Sequence, residues 1–599
     1  MDKSSDYGSM KYPETPINLP DNELKPEYGS DVMADVISDM GFKHIFVLPG
    51  SSYRGLHDSL INHRRNQNPE MIMCNHESIV VAMAHGYAKA SESAAACVIH
   101  DLVGLMCASV SVFDAWVDRV PVVIFGGSGP QDPSRRRPID WTHTASMQCD
   151  LVKPFTKWSM DPVTLQSAID TMLKANKIAK SKPQAPTYVS LDLGLQEDPL
   201  PENLIIPDAS FNCYQAPGPI SANIEAIEEA ARMLIAAENP LIVGGRFGRE
   251  TQTSEILIEL VEISGSNYVE DRAVVCMPTF HPQNLNGDPK IRETADLILA
   301  IDCVDTTTAA GAHNKDLRGR PGQKIIEMTL ENLITSSWSN AGGPQAAVDL
   351  QIDCDPTYGI KQLISAIKNQ LSNNTATIKV IEDRKVSISK RHKILRQEQK
   401  EKWNDTWDSE PISTGRLTFE LYEAVKNKDW VLPVRNHRSF PEGLWNFSKS
   451  GQYLGADGGG GVGYGPAAAV GAALAYREQG KLPIAIMGDG DFQMGSGAIW
   501  TAVHYKIPVL IAINNNNSWG NDEFHQRNIA KKRNRPVENA WIGQRMAEPA
   551  TDYATMVRSY GGWSEGPISN PRDLSKVFKE AVEQLEMGNV AVVDVRTML

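Results

Sequence analysis

The chain lacks long hydrophobic runs and an apolar leader. No segment of its 599 residues approaches the run of about 18 apolar residues that a membrane-spanning helix needs. The first 29 residues are polar and rich in proline, without the apolar stretch of a signal peptide. We therefore interpret residues 1–29 as a flexible N-terminal arm and expect a cytoplasmic protein that does not contact a membrane.

Paired cysteines and excess basic charge are also missing. The 8 cysteines form no CxxC motif and no paired spacing, which disfavours a disulfide framework and a zinc site and fits a reducing compartment. The net charge of −14 argues against a nucleic-acid-binding protein, because such a protein needs a basic face to neutralise phosphates.

What the sequence does contain is a repeated alternation of short buried strands and helices. A chain of 599 residues is too long for one hydrophobic core, and strands alternating with helices indicate open parallel sheets. We predict three consecutive α/β domains at residues 30–194, 220–373 and 412–599. A linker at 195–219 and a charged connector at 374–411, helical or flexible, join them.

One strand–helix–strand stretch near the C-terminus carries clustered oxygen ligands. The apolar run 482–487 ends in Gly488-Asp489-Gly490, a helical segment follows, and the apolar run 509–513 ends in four asparagines at 514–517. Ligands of parallel sheets bind where the strands end, so these side chains should converge. Oxygen ligands suit Mg²⁺, which also binds substrate phosphates. The stretch therefore predicts a magnesium-diphosphate site.

Three reactive side chains follow predicted strands of the first domain: Ser51, Glu77 and His100. Each has an ordinary explanation when taken alone. Ser51 fits a turn, Glu77 fits the first turn of a helix, where an acid is favoured, and His100 fits a partly buried histidine. Their combination with Asp489 and the asparagines favours a shared site.

This combination resembles the thiamine-diphosphate-dependent decarboxylase family, whose signature is Gly-Asp-Gly followed by Asn-Asn, here Asn515-Asn516. The resemblance covers nearly the whole chain after residue 30, and within the family it is strongest to benzoylformate decarboxylase and looser to the acetolactate synthase large subunit. The resembling runs are LPGSS (48–52), NHESIVVAMAHGYAKA (75–90), VIHDLVG (98–104), LVKPFTKWSMDP (151–162), GGGGVGYGPAAAVGAAL (458–474) and AIWTAVHYKIPVLIAINNNNSWG (498–520).

The resemblance implies two cofactors, thiamine diphosphate and Mg²⁺. It assigns the metal to the side chains of Asp489 and Asn516 and to the backbone carbonyl of Ser518, with a slip of one residue in the asparagine run left open. It also implies contacts to thiamine diphosphate from a further set of residues. These are Glu77, Arg438, Ser439, Gly460, Val462, Gly488, Gly490 and Asp491.

The resemblance also implies the chemistry. A carboxylate, Glu77, would bond to the pyrimidine nitrogen N1′ and so let the cofactor's own imino nitrogen take the proton from C2. His100 matches an active-site histidine, and Ser51 matches a serine that contacts the substrate carboxylate. Because Glu77 and the metal belong to different domains, the family places the site between subunits, so a homodimer or homotetramer is expected.

The substrate stays open between 2-keto acids and aldehydes. We prefer non-oxidative decarboxylation of a 2-keto acid to an aldehyde over carboligation to a 2-hydroxyketone. The second histidine of benzoylformate decarboxylase has no match here; His143 and Trp141 either line the pocket or belong to an ordinary loop.

Two further hypotheses remain for the function of the chain. One is a catalytically silent family member. The other is a nicotinamide oxidoreductase, which the Gly-x-Gly-x-x-Gly pattern in 458–465 suggests. FAD or nucleotide binding by the middle domain is undecided.

Overall fold

The chain folds into three α/β units, each built on one parallel sheet. The computed structural model describes residues 14–21, 24–250, 253–271, 277–334, 336, 344–372, 374–436, 442–455 and 458–599. Strands of each unit pair in parallel with their neighbours. The fold class predicted from the sequence, three consecutive open-sheet α/β domains, is therefore confirmed.

The first unit contains a sheet of six strands. The strands are β1 (His44–Val47), β2 (Glu70–Met73), β3 (Ala95–Ile99), β4 (Val122–Ser128), β5 (Trp158–Met160) and β6 (Thr187–Asp192). The helices are α1 (Gly29–Asp39), α2 (Arg54–Asp58), α3 (Glu77–Ser91), α4 (Leu102–Val117), α5 (Asp140–His143), α6 (Leu165–Lys180) and α7 (Leu193–Glu197). The strand order is β2-β1-β3-β4-β6-β5, so the ends of β1 and β3 lie side by side.

The second unit contains a sheet of five strands. The strands are β7 (Pro240–Gly244), β8 (Asn267–Glu270), β9 (Leu297–Ile301), β10 (Lys324–Thr329) and β11 (Leu350–Asp353), in the order β11-β10-β9-β7-β8. The helices are α8 (Ile224–Ala236), α9 (Thr253–Ser264), α10 (Ile291–Thr294), α11 (Thr306–Ala309) and α12 (Pro356–Leu371). The charged connector that follows forms one 27-residue helix, α13 (Thr375–Glu401).

The third unit also has a five-stranded sheet. The strands are β12 (Trp430–Asn436), β13 (Leu482–Gly488), β14 (Val509–Asn515), β15 (Trp563–Ile568) and β16 (Val590–Arg596), in the order β12-β13-β14-β16-β15. The helices are α14 (Thr414–Val425), α15 (Tyr464–Tyr476), α16 (Asp489–Gly495), α17 (Gly497–His504), α18 (Gly520–Lys532), α19 (Tyr553–Ser559) and α20 (Leu574–Glu586).

The first and third units are locked together by backbone contact between α3 and α15. A Cβ placed on Gly86 would lie 2.1 Å from the carbonyl oxygen of Ala468, and one on Gly471 would lie 2.0 Å from that of Met83. Only glycine permits two helix backbones to approach so closely. The buried residues around this contact belong to one hydrophobic cluster that both units share.

A buried carboxylate, Asp118, touches all three units. His85 Nε2 of α3 lies 3.1 Å from it, and Arg249 of the second unit approaches to 3.3 Å. A Cβ on Gly458 of the third unit would lie 2.5 Å from Asp118 Oδ1. Lys89 and Arg249 hold the pKa of Asp118 well below its usual range despite burial.

Among the described residues, no helix is both long and apolar enough to cross a membrane.

Candidate active site

The ends of β13 and β14 form the first half of the site. Gly488 at the end of β13 pairs with Asn514 near the end of β14, so Asp489 and the asparagine run meet at one edge of the third sheet. This is the arrangement that the sequence predicts for the two strand ends.

Asp489 is suited to hold a cation. It is only 2% exposed, and burial raises the pKa of its carboxyl to about 6, against hydrogen bonds from the backbone of Gly490 and Asn517. Its Oδ1 accepts the Gly490 N–H at 3.1 Å, whereas its buried Oδ2 has no hydrogen-bond partner in the described part of the chain. A buried carboxylate oxygen without a donor is costly, and a bound divalent cation would satisfy it.

The asparagines differ in what they already bind. Asn515 is fully buried; its amide donates to Asp594 at 2.8 Å, and its oxygen accepts from Arg596 at 3.2 Å. Asn516 is half-buried, and its Oδ1 accepts the Ser518 N–H at 2.9 Å. Both side chains make hydrogen bonds within the fold, and Asn516 is the less buried of the two, so its assignment to the metal stays a prediction.

Asp491 holds the glycine loop, defined here as residues 458–463. Its Oδ1 accepts the N–H of Gly463, which caps α15, at 2.6 Å. A Cβ at Gly465 would lie 2.0 Å from Asp491 Oδ2, so this position has to be glycine. The predicted cofactor residue Asp491 thus ties the loop to the strand end that carries Asp489.

The other predicted cofactor residues occupy different settings. Gly460, in the left-handed region at φ +73, has open space around it, and Val462 is 45% exposed. Gly490 lies beneath Trp519, whose ring would be 2.6 Å from a Cβ there, while Gly488 is unobstructed. The predicted Arg438 and Ser439 lie outside the described residues.

Sequence reasoning missed the residue that anchors the glycine loop from below. Asp114 of α4 accepts the Gly459 N–H at 3.0 Å, and burial raises the pKa of its carboxyl to about 7. A Cβ on Gly461 would lie 2.6 Å from Val110 Cγ1 on the same helix. The available signal was a single acid inside the otherwise apolar segment LVGLMCASVSVFDAWV.

Glu77 begins α3 in the first unit. His76 caps this helix by accepting the Ser78 N–H at 3.2 Å. A Cβ at Gly104 would lie 3.1 Å from Glu77 Oε1 and 3.1 Å from His100 Cβ, so Gly104 keeps the space between these two side chains open. In the described part of the chain, no hydrogen bond or ion pair joins Glu77 to Asp489 or Asn516.

His100 follows β3 and is held by Ser52. Its Nδ1 lies 2.7 Å from Ser52 Oγ, which also accepts the Asp101 N–H at 3.2 Å. The predicted Ser51 is exposed and lies in a groove of about 480 Å³ with Arg54. The structure therefore brings Ser52, not Ser51, into contact with the histidine.

His143 completes this half of the site. Its Nδ1 lies 3.4 Å from His100 Nε2, which favours a pocket position over an ordinary loop position for this residue. Burial lowers the pKa of His100, and the neighbouring His143 lowers it further, while Glu77 opposes both. Trp141, on the same short helix α5, is 61% exposed and stacks with Arg136 rather than with His100.

Two domain models of one enzyme family match the regions of the chain that contain the site. The N-terminal TPP binding domain of the thiamine pyrophosphate enzymes matches residues 28–152, and their C-terminal TPP binding domain matches residues 436–595. The two matched regions contain the two halves of the site just described.

Relatives in sequence cover most of this chain, and a solved structure shares its fold. The acetolactate synthase isozyme 3 large subunit of Escherichia coli K12 is 24% identical and covers 95% of this chain and 94% of its own. Benzoylformate decarboxylase of Pseudomonas aeruginosa is 24% identical over 74% of this chain and 78% of its own. The crystal structure of benzoylformate decarboxylase from Polynucleobacter necessarius superposes with a TM-score of 0.74 at 18% identity, covering 96% and 99% of the two chains.

Proposed function

We propose that this chain, which contains both the N-terminal and the C-terminal TPP binding domain of the thiamine pyrophosphate enzymes, decarboxylates a 2-keto acid to an aldehyde with thiamine diphosphate and Mg²⁺. The observation that carries the cofactor assignment is Asp489, a buried carboxylate with one oxygen that lacks a hydrogen-bond partner among the described residues. It follows Gly488, which pairs with Asn514 at the start of the asparagine run. The His100 pocket supports the reaction type.

The residues of the site fit both proposed groups, Mg²⁺ and thiamine diphosphate. Asp489 and Asn516 offer side-chain oxygens and Ser518 a carbonyl to Mg²⁺, which prefers oxygen ligands and keeps sites for phosphate. The glycine loop, held by Asp491, would approach thiamine diphosphate along its backbone. When bound, thiamine diphosphate supplies the ring that accepts the electrons released as CO₂ leaves.

The chain's own polar groups then have separate tasks. Glu77 would hold a proton at the pyrimidine nitrogen N1′. His100, whose pKa burial lowers, is neutral near pH 7 and would move a proton at Nε2. Ser52 fixes the ring of His100 at Nδ1, and the exposed Ser51 offers a hydroxyl to a substrate carboxylate.

We further propose that a second copy of the chain completes the site. Val462 of the glycine loop is 45% exposed, and its neighbours Val110 and Met494 are 56% and 61% exposed. Met106, on the same helix as Val110, is 57% exposed. Such clustering is typical of a surface that a partner covers. Sedimentation of the wild type should give at least a dimer, and a monomeric, active enzyme would exclude this arrangement.

A carboligase is the second candidate. The similarity to an acetolactate synthase large subunit over 95% of this chain is the observation that supports acyl transfer to a second carbonyl compound. The first half of both reactions is the same. The two reactions differ in what happens to the fragment that remains after CO₂ is lost. A decarboxylase protonates it and releases an aldehyde, whereas a carboligase adds it to a second carbonyl compound.

A panel of aromatic, branched and short 2-keto acids tests the proposal, with CO₂, aldehyde and 2-hydroxyketone measured for each. We expect CO₂ and aldehyde in equal amounts. If a 2-hydroxyketone is the main product, the chain is a carboligase and the proposed decarboxylase function is wrong. A chain that binds thiamine diphosphate tightly but turns over no keto acid would be the silent member.

The variant Glu77→Gln should keep the cofactor and lose turnover by roughly 10²–10⁴-fold, the usual worth of an acid–base group. The matched control is Glu92→Gln, the exposed residue at the other end of α3, which should keep full turnover.

A further inference from the structure

The His100 pocket contains three ligand atoms at the spacing of a metal site. His100 Nε2 lies 3.4 Å from His143 Nδ1 and 3.5 Å from Asp101 Oδ1, and ligand atoms of the three residues lie within 4.8 Å of one another. Nitrogen and oxygen ligands at about 2.0–2.1 Å from a tetrahedral ion are separated by about 3.3–3.4 Å. The two separations that involve His100 Nε2 therefore match the edges of such a tetrahedron.

A second observation points to a cation-binding role. The Asp101 side chain is only 1% exposed, and its buried Oδ1 has no hydrogen-bond partner among the residues that the structure describes. This is the same oxygen that faces His100 Nε2. An oxygen so placed is costly to bury, and a cation bound between the three side chains would satisfy it.

The surrounding groups orient the ligands as a metal site requires. Ser52 Oγ lies 2.7 Å from His100 Nδ1, and in the tautomer in which Nδ1–H donates to Ser52, the Nε2 lone pair is free for a metal. Metal-binding histidines commonly make such a hydrogen bond through the other ring nitrogen. Gly50 allows this approach, since a Cβ there would lie 2.8 Å from His100 Nδ1.

We propose that His100, Asp101 and His143 bind a transition-metal dication of the Zn²⁺ class, with the fourth position open. Two imidazoles and one carboxylate favour Zn²⁺ over Mg²⁺, which the all-oxygen ligands around Asp489 suit instead. The spacing of the cysteines could not reveal this site, because none of its proposed ligands is a cysteine. Since the ion takes the Nε2 of His100, it would also compete with the proposed proton transfer there.

Spectroscopy with Co²⁺ tests the site directly. The cofactor-free, full-length chain is titrated with Co²⁺ in the presence of excess Mg²⁺, which occupies oxygen sites. We expect one equivalent of Co²⁺ with the visible absorption of a tetrahedral complex, and its loss on adding Zn²⁺. An octahedral spectrum, or no saturable binding, would overturn the proposal.

Variants locate the binding. Asp101→Asn and His143→Ala should each abolish the tetrahedral spectrum, and Ser52→Ala should weaken binding by roughly 10–100-fold. Circular dichroism and the thermal midpoint check that each variant is folded. The control is Cys107→Ser, because Cys107 belongs to a separate group with His76 and Glu77. A spectrum unchanged in His143→Ala, or lost in Cys107→Ser, would refute the assignment.

Inhibition is a consequence that rests on the proposed function. Zn²⁺ should inhibit keto-acid turnover reversibly, with EDTA and added Mg²⁺ restoring it. The Co²⁺ spectrum does not depend on turnover. A chain that shows the spectrum and turns over nothing would therefore contradict the proposed function and leave the metal site standing.

Discussion

Replacing Gly86 with alanine measures how tightly the first and third units are joined. The added Cβ would lie 2.1 Å from Ala468 O, so α3 and α15 would have to separate by about 0.9 Å to bring this distance to 3.0 Å. A radial gap of 0.5–1 Å forfeits about a quarter to a half of the dispersion attraction across it.

Two opposing effects decide whether Gly86→Ala stabilises or destabilises the protein. Overpacking costs about 1–3 kcal/mol, and the upper end applies here because the atom in the way is backbone and cannot rotate aside. Alanine in a helix gains about 1 kcal/mol over glycine. The net expectation is a destabilisation of about 2 kcal/mol, and Gly471→Ala should behave alike because its Cβ would meet Met83 O at 2.0 Å.

The assay is thermal unfolding of the cofactor-free protein. A three-unit chain need not unfold in one step, so the midpoint of the transition that exposes the shared core is compared, not a global free energy. We expect it to fall by several degrees. The control is Gly218→Ala, a position with nothing within 4 Å of the added Cβ, which should be neutral or slightly stabilising. A Gly86→Ala protein as stable as the wild type would refute the contact.

Three further predictions concern the site. Asp491→Asn should weaken thiamine diphosphate binding about 10–100-fold by loosening the glycine loop, since a hydrogen bond to a charged group contributes about 1.5–3 kcal/mol; cofactor titration by fluorescence measures this. Asn516→Ala should abolish Mg²⁺-dependent cofactor binding without lowering the thermal midpoint, whereas Asn515→Ala should lower it, because a buried amide bond to Asp594 is lost. Asp114→Asn should gain stability over the wild type between pH 5 and pH 8, because burial raises the pKa of Asp114 from 3.8 to about 7 and disfavours its charged form.

Each of these has a contrary result. Unchanged cofactor affinity in Asp491→Asn would mean that the loop is held by its other contacts. The reverse pattern for the two asparagine variants would shift the metal register by one residue. For Asp114, the wild type loses stability as pH rises from 3.8 through about 7 and the amide variant does not, so parallel stability curves would contradict the burial of that charge.

The fold was predictable where strands are fully buried and follow a clear turn. The apolar runs 482–487 and 509–513 form β13 and β14, which extend these predicted runs by one and two residues. Short or half-exposed strands such as β5 (Trp158–Met160) and β11 (Leu350–Asp353) were not predicted, since their patterns alternate weakly and depend on neighbours far along the chain.

The positions of the candidate metal ligands were predictable from local sequence, but the contacts of the site were not. Asp489 and the asparagine run follow neighbouring strand ends, which local sequence reveals. The choice of Asn516 within the run rests on the family resemblance and stays a prediction. Local sequence does not reveal that Ser52, rather than the predicted site residue Ser51, contacts His100. The short helical turn after β1 decides which of the two hydroxyls faces the imidazole ring. The role of Asp114 depends on Gly459, which lies 345 residues further along the chain.

The backbone contact between α3 and α15 means that the two units that pack most closely are not neighbours along the chain. The first and third units share one core, and the second is covalently interposed between them. Proteolytic cleavage within 198–219, the loop-rich linker before α8, should therefore leave two fragments that stay together on gel filtration. A fragment holding the first unit alone would expose the glycine face of α3 and should aggregate, which makes the pair, not the single domain, the smallest piece of this protein to express.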